Sequence, residues 1–142
     1  MSFLKKTLST ALITLLPCAA LAKPVTMQCV VDNSKSKGWI AEQIFVEYDT
    51  ATKAARVVDG IVLHYNKRKP AAAQVSENTD KKMVVKWDVF TKVGRQTAKM
   101  GYRVALLKPS NKVLVTAKPH GFADNLTARG RCQTINQKLP MG

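Results

Sequence analysis

The chain has 142 residues, 46% of them apolar, with 23 Lys and Arg against 9 Asp and Glu and a formal net charge of +14. That length holds one domain with enough apolar residues for a single core. The charge points to anionic partners or to simple solubility, and the few scattered acids leave out a carboxylate-built calcium site.

The chain opens with the pattern of a secretory leader. Lys5 and Lys6 supply a positive start, Leu8 to Leu16 a short apolar run, and Ala20-Leu21-Ala22 a small-residue cleavage site. Cleavage is expected after Ala22, leaving 142 − 22 = 120 residues with a net charge of 21 − 9 = +12. A cut after Ala20 is the alternative. Lipid attachment at Cys18 is disfavoured because Pro17, rather than a small residue, precedes it. The apolar run is too short to span a bilayer, which takes roughly 20 apolar residues, and no later stretch approaches that length. The expected destination is the periplasm or the exterior.

Of three cysteines, Cys18 leaves with the leader. Cys29 and Cys132 remain, 132 − 29 = 103 residues apart, and an oxidising compartment predicts a disulfide between them.

Beyond the leader, apolar residues recur with period two. Val25 to Val31 puts Val25, Met27, Cys29 and Val31 on one face. Ile44 to Tyr48 follows, then a polar turn at residues 49–53, a return over Ala54 to Val58, and the turn dipeptide Asp59-Gly60. Ile61 to Tyr65 reads as the next strand, ended by the charged loop of residues 66–70. Met83 to Phe90 is the clearest strand, with Met83, Val85, Trp87 and Val89 on one side and Lys86 and Asp88 on the other. Met100 to Leu107 repeats the pattern, and Pro109-Ser110-Asn111 turns the chain into Val113 to Ala117. Leu126 to Cys132 is the last strand, alternating Leu126, Ala128, Gly130 and Cys132 with Thr127, Arg129 and Arg131. The expectation is an all-β domain, an antiparallel meander of about eight strands forming a small barrel or sandwich closed by one disulfide.

Several of these stretches form a familiar set: Cys29, Gly38-Trp39-Ile40, FVEYDTATKAARVVDG from Phe45 to Gly60, VKWDV around Trp87, and Arg129-Gly130-Arg131-Cys132. The chain resembles small secreted β-barrel proteins of Gram-negative bacteria, lipocalin-like in appearance and without assigned function. The resemblance covers most of the mature domain and brings no catalytic residue with it. Periplasmic inhibitors of c-type lysozyme are also small disulfide-bearing barrels. This chain is longer, and its charge would repel the basic lysozyme.

No G-x-S-x-G, H-E-x-x-H, C-x-x-C, P-loop or G-x-G-x-x-G is present, so neither a catalytic motif nor a metal or cofactor site is expected. His64 and His120 are the only histidines; a metal-free hydrolase or nuclease using both as acid and base is the weakest reading. Strand parity sends Lys86, Lys99, Arg103, Arg129 and Arg131 outward, where neighbouring strands would gather them into an anion-binding stripe. The plainer account is a solvated face whose lysines protect strand edges. Met27, Ile44, Tyr48, Met83, Trp87, Met100 and Tyr102 point inward, to line a cavity for a small apolar ligand or to fill it. Stacking on bases would need outward aromatics, whereas Trp87 and Tyr102 point inward by parity, so nucleic acid is disfavoured relative to envelope polyanions. The leading expectation is an exported, non-enzymatic binding or structural envelope protein. Its partner would be an anionic envelope component or an acidic protein, met through the basic face. A lipocalin-like carrier comes second.

Overall fold

The computed structural model describes residues 23–140; the expected leader and Cys18 lie outside them. The period-two runs form β1 (Val25–Asp32), β2 (Gln43–Tyr48), β3 (Ala54–Asp59), β4 (Ala71–Asn78), β5 (Lys82–Val93), β6 (Gln96–Leu107), β7 (Lys112–Pro119) and β8 (Leu126–Ile135). One short helix, α1 (Gly60–Tyr65), stands between β3 and β4. Each strand pairs antiparallel with the next, and β8 pairs with β1, so the meander closes into a barrel with no free edge. Of the two architectures the sequence allows, the barrel is the one adopted.

Two local expectations need correction. Residues 61–65 are helical rather than extended. The Asp59 carboxylate accepts from the Val62 N–H at 2.7 Å, capping the first turn in place of a hairpin. Only Val62 of the helix is fully buried, so one apolar side chain needs to face the core, which a single turn and a half supplies. The chain leaves α1 through Lys67 and Arg68, both with positive φ, while the Asn66 side chain binds the carbonyls of Lys69 and Pro70. The strand count is restored by β4, which is not among the predicted strands. Its Ala71, Ala73 and Val75 alternate toward the interior, but alanine has little strand preference of its own. Pairing with β3 and β5 supplies what local sequence lacks.

The seam between β1 and β8 sets the closure. Cys29 lies directly opposite Cys132, and the two form a disulfide. Beside it, Gly130 lets the strands approach so closely that an added Cβ would stand 1.9 Å from the Val30 carbonyl oxygen and 2.6 Å from the Val31 Cα.

Inward rows from all eight strands make one core. Cys29, Val46, Val57, Val85, Val104, Val115 and Ala117 are fully buried in it. The barrel ends differ. At one, tight turns join β2 to β3, β4 to β5 and β6 to β7. At the other lie residues 33–42, α1 and the β7–β8 connection. Ile40 and Val62 from this covered end are both buried in the core, and the Tyr102 hydroxyl donates to the Trp39 carbonyl at 2.9 Å. Asp59 and Tyr102 share that end of the interior. Burial pushes the Asp59 carboxyl up, and burial together with the Asp59 and Tyr65 charges pushes the Tyr102 hydroxyl up.

Candidate functional site: a cationic outer face

Register across β5–β8 lays out the outer wall rung by rung. One outward rung runs Lys86, Arg103, Thr116, Thr127. The next runs Val84, Ala105, Leu114, Arg129 and reaches Asp32 on β1. The third runs Lys82, Leu107, Lys112, Arg131 and reaches Val30. Rungs two residues apart are about 7 Å apart along the strands, and neighbours within a rung about 5 Å apart. Over β5–β7 an apolar stretch, Val84, Ala105 and Leu114, therefore lies between rungs that carry cations.

Val84 and Ala105 face outward yet are buried. Register surrounds them with Leu107 and with Lys82, Lys86 and Arg103, whose aliphatic stems are long enough to help roof them while the charged ends stay in water. Over β6–β8 the wall dips into a groove of about 610 Å³. Lys82, Arg103, Lys112, Arg129 and Arg131 line it with Ala105, Leu107, Leu114 and Gly130, and none of its lining residues is acidic. Two acids at its margins are engaged. Glu77 stands 3.8 Å from Lys82, and the Asp32 carboxylate accepts from the Ser34 N–H at 3.0 Å. That bond and the Lys35 charge hold Asp32 below the usual carboxylate range. Arg131 donates to the Ser110 carbonyl at 3.3 Å, which steadies one guanidinium at the rim.

The five sequence candidates for anion binding thus separate. Arg103, Arg129 and Arg131 line one groove, and Lys86 stands beside Arg103 across the β5–β6 pair. Lys99 lies apart, opposite Phe90 and 3.5 Å from Asp88. Lys82 and Lys112 belong to the groove but are absent from the sequence candidates. The turn at residues 108–111 fixes Lys112 opposite Leu107, and that register would have shown it.

The candidate cavity residues pack against one another. Met27, Ile44, Met83, Trp87, Met100 and Tyr102 are buried in the core, and Tyr48 packs partly buried against it. The Trp87 and Tyr102 rings stack within the core, their centroids 5.3 Å apart. The Trp87 indole N–H is buried without a hydrogen-bond partner. At the covered end a second concavity of about 440 Å³ lies among Trp39, Met100, Pro119, Phe122 and Leu126, with Lys99 and His120 on its wall.

The histidines have separate surroundings. His64 is exposed on α1, edge-on to Tyr65 at 4.6 Å. His120 lies just beyond β7, with Nε2 3.8 Å from Asp88. Among the described residues no group of three His, Cys, Asp or Glu is placed to hold a metal ion.

A closed antiparallel barrel of eight strands is consistent with a lipocalin-type architecture in general and compatible with a non-enzymatic binding or structural role. No family model, no curated protein and no solved structure matches the chain.

Proposed function

We propose that the chain is an exported, non-enzymatic binding protein that holds an anionic component of the cell envelope on the outer face of β5–β8. One observation carries this reading: five cationic side chains line a single groove that contains no acid. Concentrating one sign of charge over low-dielectric aliphatic walls raises the local concentration of an opposite partner and speeds its encounter. Three further features support the address and the class. They are the leader-like first 22 residues, the Cys29–Cys132 bond, which persists in oxidising compartments, and the resemblance to small secreted barrels.

The test is retention on isolated envelope fractions at about 50 mM and about 500 mM salt, where the screening length falls from about 14 Å to about 4 Å. Wild type should be retained at low salt and released at high salt. Replacing Arg103, Arg129 and Arg131 with Gln should abolish retention while leaving the melting temperature unchanged. Retention that ignores both salt and the three substitutions would refute the proposal.

A second reading is favoured by the apolar concavity at the covered end, with Phe122 65% exposed beside it. In that reading the protein carries a small apolar ligand at the barrel mouth, between Trp39 and Phe122, instead of in the packed interior. Quenching of tryptophan fluorescence by such a ligand, lost in Phe122→Ser, would distinguish it.

A further inference from the structure

We propose that the anionic component is the phosphate-bearing surface of a lipid bilayer, on which the barrel lies with its β6–β8 wall down and Leu107 entering the headgroup layer. The inference rests on the proposal that the basic face is the binding surface, and goes beyond it by naming the partner. Leu107 is 49% exposed and stands on the outward rung that carries Lys82, Lys112 and Arg131. From β5 to β8 that rung reads cation, aliphatic, cation, cation. A soluble polyanion has no use for the exposed aliphatic position, which costs free energy when left in water. A protein partner would be met by aromatic anchors, and none of the residues lining the groove is aromatic.

A leaflet surface offers both kinds of contact at the right depths. Phosphates meet the charged ends of long stems, while the layer just beneath accepts short aliphatic side chains. The apolar stretch of Val84, Ala105 and Leu114 lies between the cationic rungs over β5–β7, so the charged ends of Lys82, Arg103 and Lys112 can reach outward over an aliphatic floor. The attraction needs no rearrangement of the fold, because every group involved already projects from the outer wall.

The experiment measures co-sedimentation of the mature chain with two vesicle types, pure phosphatidylcholine and three parts phosphatidylcholine to one part phosphatidylglycerol. Retention on immobilised inorganic polyphosphate runs in parallel, as an anion with no apolar part. Binding to the mixed vesicles but not to the neutral ones is expected. Arg103→Gln/Arg129→Gln/Arg131→Gln should weaken vesicle affinity about 100-fold, since each basic residue near an anionic surface contributes roughly a factor of five. Leu107→Asn should weaken vesicle binding about fivefold and leave polyphosphate retention unchanged. Polyphosphate retention without vesicle binding, or a Leu107→Asn variant that binds vesicles like wild type, would overturn the lipid assignment and leave the basic-face reading standing. Failure on both probes would overturn both. Loss of vesicle binding in Phe90→Ser/Phe122→Ser, with Leu107→Asn unaffected, would move the contact to the covered end and overturn the placement. Unchanged thermal melting is the check that each variant is folded.

Discussion

Breaking the Cys29–Cys132 bond should cost the barrel its seam. β1 and β8 are the one strand pair in the closed sheet whose members are not consecutive in sequence, and seven register pairs hold them, from Thr26 opposite Ile135 to Asp32 opposite Arg129. The disulfide sits in the middle of that ladder and closes a loop of 103 residues. On the chain-entropy account, releasing a loop of this length stabilises the unfolded chain by about 4.7 kcal/mol at 25 °C. Unfolding entropy of about 2.1 cal/mol/K per residue gives about 250 cal/mol/K for the described domain, so the melting temperature should fall by about 19 °C. Circular dichroism melts with and without a strong reductant measure this. Cys29→Ala/Cys132→Ala should melt a few degrees lower still, because both cysteines are buried and the truncation leaves space behind. Amide exchange should accelerate first in β1 and β8. A fall of less than about 5 °C would refute the reasoning, since the seam would then close by packing and hydrogen bonding alone.

Gly130→Ala should destabilise by at least about 3 kcal/mol in urea unfolding, because its Cβ meets the backbone of β1, which has no rotamer to yield. Tyr102→Phe should cost about 1 kcal/mol and speed amide exchange in residues 33–42, since the Trp39 carbonyl loses its donor. Burial raises the Asp59 carboxyl above its unfolded value of 3.8. The folded state therefore binds that proton more tightly. The resulting stability is fully present below pH 3.8 and is lost as pH rises through the raised value. Asp59→Asn keeps an acceptor for the Val62 N–H and should flatten this part of the stability–pH curve; an unchanged curve would refute the assignment.

Much of the barrel is legible in period two. In Met83 to Phe90 the inner row of Met83, Val85, Trp87 and Val89 is apolar without a break because it faces the core, and the structure extends the strand at both ends. The cysteine pairing is legible for a related reason: parity puts Cys29 and Cys132 on apolar faces of the first and last strands, which only closure brings together. Local sequence misleads at residues 59–65. Asp59-Gly60 serves equally as a hairpin turn or as a cap and first helical residue, and the choice depends on Val62 reaching the core. It is silent at β4, where alanines take their conformation from neighbours. At the groove, parity gives direction but not register. It sends Lys99 and Arg103 outward alike, and only the β5–β8 ladders separate Arg103, which joins Arg129 and Arg131, from Lys99, which stands near Asp88.

The most direct test of the basic face is a residue-resolved titration. With residues 23–142 produced isotope-labelled, backbone amide and arginine side-chain resonances are followed as phosphatidylglycerol-containing nanodiscs are added, at low and at high salt. The account predicts shifts or broadening at Lys82, Arg103, Leu107, Lys112, Arg129 and Arg131, reversed by salt, with the resonances of α1 and of the β2–β3 turn unmoved. Perturbations confined to the covered end around Trp39, His120 and Phe122, or none at any residue, would contradict it.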